Sequence, residues 1–523
     1  MAVQNIGLEF EIDQNSRGSP RLLKIDSKDR KPLFRYPFRC IKYLSHRIPI
    51  SILLPVMRLL EITNVTGDDV NFKLVNREGN LDYAILSHTW GKDSDELSFE
   101  DMEKGIRCDK IGFQKVKRFL AEAWQADLKY GWVDTCCIDK KSSAELSEAI
   151  NSMFQWYRDA KCCFVYLSDF EGHHTHLTKA ELTLHLQSCR WFTRGWTLQE
   201  LLAPRGLIFY SRDWQVVGDG NYLKDIIAKI TGIHEEALTE RFSSNNLDKF
   251  SIAQRMSWAS KRETTRIEDV AYCLMGIFDV NMPLLYGEGE RAFTRLQEHI
   301  IRESDDQTIF CWLRGSPDRL GDKNVTSSFL AISPRDFQES YDYIPSRTAT
   351  VRPYKISNTG LKITGKLQDH QGHWGLLLHC YNKSLPLTCV VLPLVKHCGL
   401  GDDQGNQFSR VSNYLSQTHD GTAPERTIYI SKTAAPPPQP RAVGNLVTFS
   451  LKADDSLMGE LEIEEVYPST CWNPPGAQIH AGYDVSASGS ITNFSWHAAV
   501  KMLISNHARV IAIIGYNGRQ SKP

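Results

Sequence analysis

The 523 residues exceed what one hydrophobic core usually organises, so two or three domains are expected, with length enough for a sizeable sheet. The 61 Lys and Arg nearly cancel the 62 Asp and Glu, which excludes an overall field that would gather the chain onto nucleic acid or an anionic membrane. Thirteen cysteines, with adjacent pairs Cys136-Cys137 and Cys162-Cys163 in apolar strand-like runs, predict buried reduced thiols rather than disulfides.

Met1 to Asp13 carries acidic residues and no apolar core of a signal peptide. The run Ile48 to Val56 is broken by Pro49 and Pro55 and is too short to cross a bilayer, so a cytoplasmic protein with no membrane span is expected. Residues 1–56 read as an extension without an interpretable pattern.

From Tyr83 to about Ser211 short apolar runs alternate with helical stripes, the signature of βα units around a parallel sheet, within an α/β domain expected at 57–215. Tyr83 to Ser87 reads as a first strand, followed by a polar loop carrying Trp90-Gly91. Phe113, Val116, Phe119, Leu120, Ala123 and Trp124 recur at helical spacing. Gly131 to Ile138 reads as a central strand, in which Asp134 is the exception needing a reason. Leu146 to Tyr157 forms a second stripe with Ser142 or Ser143 available as N-cap, and Cys162 to Leu167 is the third strand.

A loop with His173, His174 and His176 leads to the helix of Trp196 and Glu200, stopped by Ala203-Pro204-Arg205-Gly206 before a fourth strand, Leu207 to Tyr210. The three histidines lack companion ligands at metal spacing, and no metal site is expected. Residues 216–304 turn helical, through Tyr222 to Ile230, Ile252 to Trp258, Ile267 to Phe278 and Ala292 to Ile301. Residues 305–523 become β-rich, with short runs at Thr308 to Leu313, Leu361 to Ile363 and Leu376 to Leu378, and an extended proline-rich segment at 434–440.

Trp196 and Glu200 stand four apart, so on a helix they share a face and the indole shields the carboxylate from water. Ser87, Asp134 and Asp139 are expected at the carboxyl ends of strands, where ligands bind in open α/β sheets, with His88 and Trp90 beside them. There is no Gly-rich dinucleotide fingerprint and no phosphate-cradling P-loop, so no bound cofactor is expected. Gly287-Glu288-Gly289 reads as a helix-start turn, and a thiol protease built on Cys136 or Cys137 is disfavoured by its apolar setting.

Three blocks in order, Tyr83-Ala84-Ile85-Leu86-Ser87-His88-Thr89-Trp90-Gly91, Trp132-Val133-Asp134-Thr135-Cys136-Cys137-Ile138-Asp139 and Arg194-Gly195-Trp196-Thr197-Leu198-Gln199-Glu200-Leu201, resemble the fungal heterokaryon-incompatibility (HET) domain. The likeness continues through Arg266 to Phe278 and Met282 to Gly289, covering roughly 57 to 300. It implies a role in non-self recognition, in which a HET domain triggers death of incompatible fused cells, with an incompatibility partner the sequence does not name.

A remoter likeness is to TIR domains, whose Trp-x-x-x-Glu-Leu helix resembles Trp196 to Leu201. It implies a flavodoxin/TIR-like parallel sheet with helices on both faces, Glu200 as catalytic carboxylate, and Trp196, Ser87, His88, Trp90, Asp134 and Asp139 around a substrate. It also implies NAD as that substrate and self-association through the domain. The alternative is a non-enzymatic death-signalling adaptor that works only by assembly.

Overall fold

In a computed structural model the described residues run from 57 to 432 except 67–68, 78, 80, 106–109, 172–176, 240–245, 315–325, 347–351, 371–372, 398–405, 412–414 and 419–422, with strands between 447 and 518 described by their backbone. The extension 1–56, the histidines at 173, 174 and 176, and the proline-rich segment 434–440 lie outside them.

The first sheet has seven strands: β1 (Met57–Thr66), β2 (Asp69–Arg77), β3 (Ala84–His88), β4 (Tyr130–Trp132), β5 (Cys162–Tyr166), β6 (Leu207–Tyr210) and β7 (Val216–Asp219), in the order β2-β1-β4-β3-β5-β6-β7. β3 runs parallel to β4 and β5, and β5 parallel to β6. Counted among themselves these four stand second, first, third, fourth, the order with which flavodoxin-like sheets begin. The sheet is not parallel throughout, as expected from sequence, but mixed. The β1–β2 hairpin pairs antiparallel with β4 at one edge, and β7 pairs antiparallel with β6 at the other.

The connecting helices are α1 (Phe99–Glu103), α2 (Ile111–Gln125), α3 (Asp134–Cys137), α4 (Ser143–Asp159), α5 (Lys179–Ser188) and α6 (Thr197–Leu202). They cover both faces, and alternation along the strands assigns each to one. Phe164 meets Phe119 of α2 edge-on, whereas its neighbour Cys163 points its thiol at the backbone of Glu200 in α6. Gly131 lies on the α2 face, where a Cβ would come 2.5 Å from Leu120 Cδ2, and Trp132 on the other, against Trp156 and Tyr157 of α4. Ser142 caps α4 by accepting the Glu145 N–H.

The apolar run at Gly131 is a strand only as far as Trp132. Asp134 to Cys137 turns into a helical loop, with the Cys136 and Cys137 amides both donating to the Val133 carbonyl. Cys136 and Cys137 are therefore buried in a turn rather than on opposite faces of a strand. Among the described residues nine cysteines are free.

Beyond β7, helices at Lys224–Thr231, Glu235–Thr239, Ile252–Ala259, Asp269–Tyr272 and Arg291–Glu303 follow. The Ile267 to Phe278 stretch is thus a short helix and a 3-10 turn (Met275–Ile277) rather than one long helix. Thr308 to Leu313 is not a strand. Asp306 caps a 3-10 turn over Gln307–Phe310, and the segment is buried on all sides, so no period-two pattern applies.

Five strands then close into a small barrel: Gly360–His370, His373–Leu377, Cys389–Lys396, Gln407–Val411 and Glu425–Ile430, the third pairing with the fourth to complete the ring. Arg410, fully buried, joins the barrel to the preceding segment. It donates to the Phe310 and Trp312 carbonyls and lies 3.5 Å over the Trp312 ring. No helix among the described residues is long and apolar enough to cross a membrane.

Candidate functional site

The switch in strand order falls between β3 and β5, the place where open α/β sheets generally bind ligands. Thr89 and Ser168 bridge those loops at 3.4 Å. Ser87, next to last in β3, is wholly buried on the face covered by α6. Its hydroxyl donates to Glu200 Oε2 at 2.5 Å and accepts the indole N–H of Trp191 at 2.7 Å. The Tyr157 hydroxyl, on α4, donates to the Leu86 carbonyl at 3.2 Å, one residue before Ser87, and helps keep the Glu200 pKa from rising further.

Glu200 retains 9 % of its surface and makes no ion pair among the described residues. Burial pushes its carboxyl up to about 7; the Ser87 hydrogen bond opposes this, the nearby charge of Asp134 adds to it, and Arg194 lowers it. An acid that titrates near neutrality, held by hydroxyls, is suited to take or give a proton at physiological pH.

The opening of α6 is held from outside the helix. Arg262 donates to the Arg194 carbonyl at 2.8 Å and to Thr197 Oγ1 at 2.9 Å. The Gly195 amide donates to the Glu263 carbonyl and the Glu263 amide to the Thr193 carbonyl. A Cβ on Gly195 would meet Thr264 at 2.5 Å. Burial lowers the Arg262 guanidinium to about 10, and its Nη2 is buried without a partner.

The residues singled out from sequence do not gather in one cluster. Ser87 and Glu200 meet, but His88 points to the opposite face, as alternation along β3 requires. There the buried ring lies 3.8 Å from Glu96 and 4.0 Å from Asp134. Burial and the Lys115 charge lower its pKa. Glu96 forms a buried ion pair with Lys115 at 2.7 Å and accepts the Gly91 amide at 2.8 Å. Burial alone would raise Glu96, yet His88, Lys115 and Gly91 hold it well below the usual carboxylate range.

Asp134 stands between the two faces. Its Oδ2 accepts the Trp90 indole N–H at 2.7 Å, which is the reason for an acid at this apolar place, and its Oδ1 is buried without a partner. Asp139 serves its own loop, accepting the Lys141 amide at 2.9 Å. Trp196 precedes the first regular residue of α6 and lies near Asp269, whose carboxylate accepts from the Tyr286 hydroxyl at 2.9 Å. The tryptophan linked to Glu200 is Trp191, through Ser87.

Trp191, Tyr157, Arg194, Arg262, Glu96 and Lys115 were not singled out from sequence as site residues. Only Arg194 had a visible signal, its place at the head of the Trp-Glu motif. The amides of Gly287 and Gly289 do cradle an anion, but it is the chain's own Glu268 carboxylate, at 2.8 and 3.1 Å. Among the described residues no three His, Cys, Asp or Glu side chains gather as a metal site.

The buried Ser87–Glu200 pair and the doubly wound order define an α/β domain with a polar site at its strand ends. The family described as heterokaryon incompatibility protein (HET) matches residues 83–183. The chain is 50 % identical over 226 residues to the vegetative incompatibility protein HET-E-1 of Podospora anserina, a match that covers 42 % of this chain and 16 % of that protein. Residues 83–183 are thus similar to the HET family, and the chain spans 16 % of the length of the relative it matches. No solved structure matches it.

Proposed function

We propose that the protein acts in fungal heterokaryon incompatibility, and that its HET domain induces cell death by hydrolysing NAD at the bond between nicotinamide and ribose. The observation that carries this reading is Glu200, a buried carboxyl pushed up to about 7 and held by Ser87 at the strand-order switch. The order of the four parallel strands, with which flavodoxin-like sheets begin, and the Trp-x-x-x-Glu spacing support it further.

In the proposed reaction the bond between nicotinamide N1 and ribose C1′ breaks and its electron pair leaves on neutral nicotinamide. The cationic leaving group needs no acid. Positive charge grows at C1′, where ionised Glu200 stabilises it. Water then adds to C1′, its proton passes to Glu200, and ADP-ribose, nicotinamide and one proton result. Ser87, fixed by Trp191, keeps the carboxylate in one orientation.

The test is nicotinamide release by purified full-length protein beside Glu200→Gln, paired with cellular NAD measurement on expression. Wild type should release nicotinamide and deplete NAD, and the variant should do neither. Cell death without NAD loss, unchanged in Glu200→Gln, would overturn the enzymatic reading and leave a death-signalling adaptor.

A further inference from the structure

Three loops leave the carboxyl ends of parallel strands, and each brings one side chain to the same ring. Trp90 follows β3, Lys140 follows β4 and its turn α3, and Arg194 precedes α6. The Trp90 indole is half-buried and pinned by its N–H bond to Asp134. The Lys140 ammonium lies 3.6 Å and the Arg194 guanidinium carbon 4.9 Å from its ring centroid. The Trp90 ring is therefore engaged by two cations.

Neither cation has an ion-pair partner among the described residues. The acid at the ring, Asp134, directs Oδ2 to the indole and leaves Oδ1 buried beside His88. Two like charges drawn to one ring repel each other, and an anion between them removes that repulsion. Arg194 is also close enough to Glu200 to lower its pKa, so this pair borders the carboxylate site.

We propose that Lys140 and Arg194, positioned by Trp90, form a diphosphate-binding site beside Glu200. Its ligand is the diphosphate of a nucleotide. The guanidinium supplies planar paired donors and the ammonium a point charge, a combination suited to phosphate oxygens. The inference deepens the NAD reading by assigning the pyrophosphate of the substrate to these loops, and it rests on that reading for its location.

The experiment is calorimetric titration of the full chain with ADP, adenosine and inorganic pyrophosphate at low and high salt. Wild type should bind ADP, more weakly as salt rises, and pyrophosphate should displace it. Lys140→Gln and Arg194→Gln should each weaken ADP binding about tenfold, with melting temperature little changed. Adenosine should bind wild type and both variants alike.

Equal ADP affinity in wild type and the cation variants overturns the proposal, as does absence of ADP binding or failure of pyrophosphate to compete. ADP binding that depends on both cations in a protein that leaves NAD intact supports this site while removing the hydrolase reading.

Discussion

Ser87 and Glu200, 113 positions apart, share a buried hydrogen bond in which the serine donates, while the same oxygen accepts from Trp191. The hydroxyl proton thus has one direction, from indole through serine to carboxylate. The strand supplies the serine, and the helix supplies the acid.

Ser87→Ala removes the bond that holds Glu200 down while burial and Asp134 continue to raise it. The midpoint of the pH–rate profile for nicotinamide release should move upward from about 7. The Trp191 N–H loses its acceptor, and stability should fall by about 1–3 kcal/mol in denaturant unfolding.

Glu200 in the folded chain titrates above its ordinary 4.5, at about 7. The folded state therefore binds more protons than the unfolded state between these values. The stability this contributes is full below 4.5 and is lost as pH rises through 7. Glu200→Gln removes the titration, so its stability relative to wild type should rise between pH 4.5 and 8, by up to roughly 3 kcal/mol. Urea unfolding across that range, with the variant losing ground to wild type instead, would contradict the burial of this acid.

Lys115→Met leaves Glu96 as a buried charge with one partner fewer and should cost about 3–5 kcal/mol. Glu96 is depressed, so its contribution is present above the unfolded value of 4.5 and lost as pH falls below it. Wild type should show this acid loss, and Glu96→Gln should not. Thermal melts at pH 3 and pH 7 compare them.

Gly276 faces α4, where a Cβ would lie 2.1 Å from that of Phe154. Gly276→Ala should destabilise by about 1–3 kcal/mol, and because alanine keeps the colliding Cβ, Phe154→Ala should recover little of that in the double variant. Melting curves of the four proteins measure the coupling.

Sequence spacing is enough to place β3, α2, α4, β5 and β6, because each carries one clear period, and Ser142 announces the start of α4. It is not enough for Asp134 to Cys137, where an apolar run reports burial but not conformation. Helical spacing alone does not report that Trp196, at the N-cap of α6, lies near Asp269, a residue 73 positions further along the chain. Ser87 and His88 are neighbours in sequence, yet strand geometry sends them to different faces. Trp191, Arg262 and the closure of the barrel depend on partners far along the chain, which no local pattern encodes.

Arg262 reaches back across 65 positions to Thr197, and Glu263 exchanges amide bonds with Thr193 and Gly195. The turn presenting the acid is therefore clamped by a stretch that arrives after the sheet is complete. A recombination joint placed just past β7 would give a daughter protein with every strand of the sheet and a slack acidic helix. Any lineage that transplants this module intact has to carry the later clamp along with it.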